Sequence, residues 1–160
     1  GYNSAMAIAV AKKSNPDCKI TVIGIENDSM IIEKIQEVNP KIPGYLEYRN
    51  LNPKNLVHSC YDGTVEVEIL LGDAKETIKK IVSDSVDVIF YDSFSPKTQP
   101  EMWSQELFKE VFRILKEKNG VLATYSCARM VRDNMKAAGL HFDDGPKVGR
   151  RGPGTLAWKD

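Results

Sequence analysis

Short β-branched apolar runs alternate along this chain with stretches in which apolar residues return every three or four positions. Residues 4–13, SAMAIAVAKK, predict a buried helix with Ser4 at its N-cap, broken by Asn15-Pro16-Asp17. KITVIG (19–24) predicts a buried strand ending in Gly24. Asp28 is placed to cap a helix carrying Met30, Ile31, Ile32, Ile35 and Val38, which Pro40, Pro43 and Gly44 end. Asn52-Pro53 predicts a short helix running to Val57. VEVEILL (65–71) alternates apolar and acidic positions, which predicts a strand towards a sheet edge. Lys75–Val82 reads as helical. VDVIFYD (86–92) is more continuously apolar and predicts a more central strand. Ser104 should cap an amphipathic helix with Leu107, Phe108, Val111, Phe112 and Leu115 on one stripe, stopped by Asn119-Gly120. VLATYS (121–126) predicts a buried strand, and residues 128–138 a helix closed by Gly139. Two short candidate strands, 140–142 and 155–159, suggest an antiparallel pair.

This order predicts one α/β domain over residues 1–160, doubly wound, with a mainly parallel sheet and an antiparallel C-terminal strand pair. A chain that opens on a helix lacks the first strand, which normally lies mid-sheet. The opening Gly1-Tyr2-Asn3, without Met, adds to the expectation that the chain is an N-terminally trimmed part of a longer protein.

Composition narrows the function classes. With 160 residues, 42% hydrophobic and 28% charged, the chain has a globular profile, and no apolar run approaches the roughly 18 residues of a membrane span. Lys plus Arg and Asp plus Glu balance at 22 each, so any nucleic-acid contact must rest on a local patch. Cys18, Cys60 and Cys127 form no CxxC pair, and His58 and His141 have no helical spacing to another ligand. The expectation is reduced thiols, no metal and a cytoplasmic setting.

Ligands of open parallel sheets bind beyond the carboxyl ends of the strands. Glu26, Asp73 and Asp92 follow three successive predicted strands at those ends. A carboxylate at Glu26 can accept both hydroxyl hydrogens of a ribose, and Asp73 can accept from an adenine amine. Gly1 lets the backbone come close to a ligand, at the start of a helix whose N-terminus favours anions. These residues alone fit NAD(H), S-adenosylmethionine or an adenylate.

The segment from Tyr91 to Trp103 discriminates. Asp92-Ser93-Phe94-Ser95-Pro96, followed by Pro100-Glu101-Met102-Trp103, resembles the Asp-Gly-Phe-(Ala/Ser)-Pro…Pro-x-Met-Trp signature of the MnmC-type tRNA methyltransferases. Gly1-Tyr2-Asn3 is similar to the end of that family's glycine-rich loop and Gly72-Asp73-Ala74 to its adenine-side turn. Leu122 to Arg132 resembles its strand–helix unit, and Gly149-Arg150-Arg151 its basic tail. Ser93 departs from the usual glycine, and Arg151-Gly152-Pro153-Gly154 from a lysine- and arginine-rich stretch.

The resemblance implies S-adenosylmethionine as cofactor, held by Gly1, Tyr2, Asn3, Glu26, Gly72, Asp73, Ala74 and Asp92. The substrate it implies is the aminomethyl group of a tRNA wobble uridine. Asp92 is expected to orient the amine first and accept its proton second, beside a desolvating wall of Phe94, Pro96 and Trp103. Trp103 is expected either to stack on the uridine or to plug the core, and Tyr125 to help or merely pack. Lys97, Arg129, Arg132, Lys147, Arg150 and Arg151 are the candidate phosphate grips. No oxidase portion accompanies the match, which implies the stand-alone methyltransferase form. A spermidine-synthase-like aminopropyltransferase and a non-catalytic nucleotide-binding module are the rival readings.

Overall fold

The computed structural model describes residues 1–160 except 36, 44, 46–56, 62, 148, 150 and 151, and only the backbone of 58 and 60. It forms two compact units, Gly1–Thr77 and Ile78–Asp160. Among the described residues no helix is long and apolar enough to cross a membrane.

In the first unit, helix α1 (Tyr2–Ser14) precedes strand β1 (Ile20–Glu26), helix α2 (Ser29–Ile35), strands β2 (Val57–Cys60) and β3 (Val65–Leu71), and the short helix α3 (Ala74–Thr77). Helix α1 starts earlier than its sequence suggests, with Gly1 rather than Ser4 as its N-cap. Asp28 acts as expected ahead of α2, its Oδ1 accepting the Met30 N–H at 2.9 Å. The sheet order is β1-β3-β2, with β1 parallel and β2 antiparallel to β3. β3 is therefore the middle strand and not an edge. Its alternation reports its two faces: Val65, Val67 and Ile69 are buried while Glu66 is exposed. Ala5 and Ile8 of α1 join those three side chains, Ile32 and Tyr45 in one core. β2 carries no clear sequence pattern, and of the helix expected from Asn52 only Val57 lies among the described residues, as its first strand residue.

The second unit begins with a 3₁₀ turn (Ile78–Lys80), so the helix expected over 75–82 is α-helical only to Thr77, continues as 3₁₀ to Lys80 and stops there. Strand β4 (Val88–Tyr91), a 3₁₀ turn (Pro100–Trp103), helix α4 (Gln105–Ile114), strand β5 (Val121–Thr124), helix α5 (Arg129–Ala137) and strands β6 (His141–Asp144) and β7 (Thr155–Trp158) follow. The sheet order is β4-β5-β7-β6. β4 and β5 are parallel, and β7 pairs antiparallel with both β5 and β6. Three strands thus share one direction, and the C-terminal pair is antiparallel. Within this sheet β4 has one neighbour, and Val88 and Phe90 are exposed, although their apolar run suggested a central place.

Helix α4 forms where its stripe demands. Ser104 Oγ accepts the Leu107 N–H at 3.3 Å, and Leu107, Phe108, Val111 and Ile114 are buried. Each such side chain contributes about 1.5–3 kcal/mol on burial. The helix ends at Ile114, before the Asn119-Gly120 stop, because Leu115 turns extended as its C-cap.

Candidate functional site

Of the residues expected to hold the cofactor, all but Asp92, which belongs to the second unit, gather at one end of the first sheet. The register pairs Glu26 with Leu71 in parallel strands, and the Gly72 N–H donates to the Glu26 carbonyl at 2.8 Å. Glu26 and Asp73 therefore leave neighbouring strand ends. Glu26 Oε1 accepts the N–H groups of Asn27 (2.8 Å) and Asp28 (3.0 Å), which fixes the carboxylate. Gly72 makes the turn at φ +140°, a conformation side chains rarely adopt, and a Cβ there would come within 3.2 Å of Thr77. Asp73 caps α3: Oδ1 accepts the Lys75 N–H at 2.9 Å and Oδ2 lies 3.7 Å from Lys75 Nζ. Ala74 is the first residue of that helix.

Gly1, Tyr2 and Asn3 reach the same end by way of α1. Lys12 Nζ donates to the Cys18 carbonyl (2.7 Å) and the Thr64 hydroxyl (2.6 Å), just ahead of β1 and β3. The C-terminal end of α1 thus lies at the amino end of the sheet, with Ala5 and Ile8 in the shared core. A helix of 13 residues spans about 20 Å, close to the length of a seven-residue strand, so its first turn lies towards the carboxyl end. Gly1, Tyr2 and Asn3 are exposed there. A fixed carboxylate, a glycine turn and an exposed helix start, all at one sheet end, fit the ribose, adenine and carboxylate groups of a nucleoside cofactor.

The residues expected to meet the acceptor amine belong to the second unit. β4 and β5 end in register, Tyr91 opposite Thr124, so Asp92 and Tyr125 leave neighbouring strand ends. Asp92 is exposed, as is the Phe94 side chain at 70%, while Pro96 is half-buried. Trp103 is different: its exposure is 0%, and its indole N–H donates to the Phe94 carbonyl at 2.8 Å. Uridine stacking is closed to a side chain so enclosed, and Trp103 is the plug ahead of α4. Its ring meets Tyr91 and Tyr125 edge-on, at 5.3 and 5.8 Å between centroids.

Other donors secure the same segment. Tyr125 Oη donates to the Ser93 carbonyl at 2.9 Å, and Tyr91 Oη to the Met102 carbonyl. Burial pushes the Tyr91 phenol well above its ordinary pKa, so it stays a donor. Asn134 Nδ2 on α5 donates to the Trp103 carbonyl at 2.8 Å. The sequence offered no signal for Asn134, a polar position on an amphipathic helix 31 residues from its partner.

The candidate phosphate grips divide. Lys97 and Lys147 are exposed, and Arg129 is 94% exposed, 3.6 Å from Asp133. Arg132 is no free cation. Its side chain is 20% exposed and donates to Thr155 Oγ1 (3.0 Å), Asp144 Oδ1 (2.7 Å) and the Gly154 carbonyl (3.2 Å). The guanidinium also lies 5.3 Å from the Phe142 ring centroid. It ties α5 to the C-terminal hairpin, contrary to its expected place among the phosphate grips. Arg150 and Arg151 lie outside the described residues. Among the described residues no group of three or more His, Cys, Asp or Glu side chains is arranged to hold a metal ion.

The sequence and fold have relatives. The family model of the S-adenosyl-L-methionine-dependent methyltransferases matches residues 36–160. The chain is 32% identical over 104 residues to the tRNA 5-methylaminomethyl-2-thiouridine biosynthesis bifunctional protein MnmC of Leptospira interrogans, covering 65% of this chain and 16% of that protein. It is 36% identical over 95 residues to the protein of the same name from Ralstonia nicotianae, covering 59% and 14%. The present chain thus spans about a sixth of the length of these curated relatives. A crystal structure of MNMC2 from Aquifex aeolicus matches with a TM-score of 0.77 at 25% identity, covering 99% of this chain and 50% of that one.

Proposed function

Because the chain belongs to the S-adenosyl-L-methionine-dependent methyltransferases, of the MnmC type, we propose that it methylates the amine of 5-aminomethyl(-2-thio)uridine at the tRNA wobble position. The observation that carries this reading is the exposure of Asp92 and Phe94 at the end of β4, directly ahead of the Pro…Pro-x-Met-Trp segment. tRNA as the acceptor implies a cytoplasmic reaction, with both units serving one methyltransferase domain.

S-adenosylmethionine supplies an electrophilic methyl group when bound. Glu26 is assigned the ribose hydroxyls and Asp73 the adenine amine, with Gly72 and Ala74 shaping the turn. Gly1, Tyr2 and Asn3 are assigned the amino-acid end of the cofactor at the α1 N-terminus. The acceptor amine must present a neutral lone pair. A simple alkylamine titrates near ~10.4, so deprotonating it at pH 7 costs roughly 4.6 kcal/mol. Asp92 accepts an amine N–H, sets the direction of the lone pair and takes the proton. Its charge alone raises the amine pKa, so an apolar neighbour must offset it. Phe94 and Pro96 are the exposed and half-exposed candidates for that wall. Lys97, Arg129 and Lys147 are assigned to tRNA phosphates.

The intact natural protein should be given methyl-labelled cofactor with tRNA bearing the aminomethyl wobble uridine, or with the same tRNA lacking the aminomethyl group. A third reaction supplies the decarboxylated cofactor and putrescine. Label is expected only in the first tRNA, as a methylaminomethyl nucleoside. Equal labelling of both tRNAs, or aminopropyl transfer to putrescine, would overturn the assignment.

A further inference from the structure

Asp92 leaves β4 into a segment without strand or helix until the turn at Pro100. Backbone bonds inside it are local: the Thr98 and Gln99 N–H groups donate to the Ser95 carbonyl at 2.8 and 3.0 Å. The Ser95 and Thr98 hydroxyls also meet at 2.9 Å. None of these bonds reaches the carbonyls of Ser93 and Phe94, the two residues after Asp92. Side chains from elsewhere hold those two: the Tyr125 phenol on the Ser93 carbonyl, and the Trp103 indole on the Phe94 carbonyl.

We propose that Tyr125 is a positioning residue for methyl transfer: its hydroxyl anchors the Ser93 carbonyl and so sets the direction in which the Asp92 carboxylate meets the acceptor amine. This rests on the role given to Asp92 above. The placement follows from the parallel pairing of β4 and β5, whose ends bring residues 92 and 125 side by side. A packing residue would need only the ring, which meets Trp103 edge-on. The hydroxyl adds one directed bond to a carbonyl one residue from the reacting group. Trp103, fixed in turn by Asn134, provides the second anchor. Groups that orient a reacting carboxylate in this way affect turnover more than binding, because a small misplacement of the reacting atoms is costly.

Tyr125→Phe in the intact protein keeps the ring and removes the bond. Turnover on aminomethyl-uridine tRNA is expected to fall about 10-fold or more, with cofactor and tRNA affinity unchanged. In an Asp92→Asn background the same substitution should cost less than about threefold, since coupled residues are not additive. Without any substrate, amide hydrogen exchange of the 92–99 peptide, which reports the Thr98 and Gln99 N–H groups, should quicken in Tyr125→Phe. Wild-type exchange in that variant, or an undiminished cost in the Asp92→Asn background, would overturn the proposal. If the wild-type protein leaves aminomethyl-uridine tRNA unmethylated, the functional reading fails, and quickened or unchanged exchange still decides the anchor.

Discussion

A carboxylate at a strand end can serve the fold or a ligand, and Asp73 is positioned for both. Its Oδ1 already caps α3, and its pairing with Lys75 is half exposed and contributes at most about 1 kcal/mol. Asp73→Ala should therefore cost about 1 kcal/mol of stability through the lost cap. Cofactor affinity should fall separately, by about 1 to 3 kcal/mol, from the unmet polar contact. Calorimetry on the intact protein separates the two: lower stability with unchanged affinity would leave Asp73 a cap alone. Trp103 teaches a related lesson. The signature containing it is legible in the sequence, but whether its indole faces solvent or the core depends on the Phe94 carbonyl and the Tyr91 and Tyr125 rings, none of which spacing reveals.

Element by element, legibility followed the strength of local signals. Ser104 with its stripe, the Asp28 cap and the C-terminal strand pair were readable because side-chain pattern and capping chemistry agree there. Position within a sheet was not, since alternation in β3 and continuity in β4 describe faces and leave neighbours open. β2 is four residues long and has too little pattern to mark a strand. The tethering role of Arg132 is not legible either, because its partners Asp144, Gly154 and Thr155 come from a hairpin formed later in the chain. Arg132→Met should lower unfolding stability by about 2 kcal/mol, the loss of charge-assisted hydrogen bonds. It should leave the salt dependence of tRNA binding unaltered, because no phosphate contact is lost. Urea denaturation and binding titrations over a salt series test both, and a flatter salt slope at full stability would return Arg132 to the RNA-binding face.

At the scale of the whole chain, neutral charge means that under the proposed function tRNA would be gripped by a few exposed cations, with Lys97, Arg129 and Lys147 the described candidates. Family membership fixes the cofactor class, and the family match extends over part of the first unit and all of the second. The acceptor is what the Asp92 corner must explain: a carboxylate that orients an amine should matter for turnover and little for holding the RNA. The measurement is the single-turnover rate of methyl transfer to aminomethyl-uridine tRNA by intact wild-type and Asp92→Asn proteins, with tRNA affinity measured alongside. The rate should fall by about 10² or more in the variant, while tRNA affinity changes little. An unchanged rate, or a rate and an affinity that fall together by the same factor, would contradict the role of Asp92 in the chemistry.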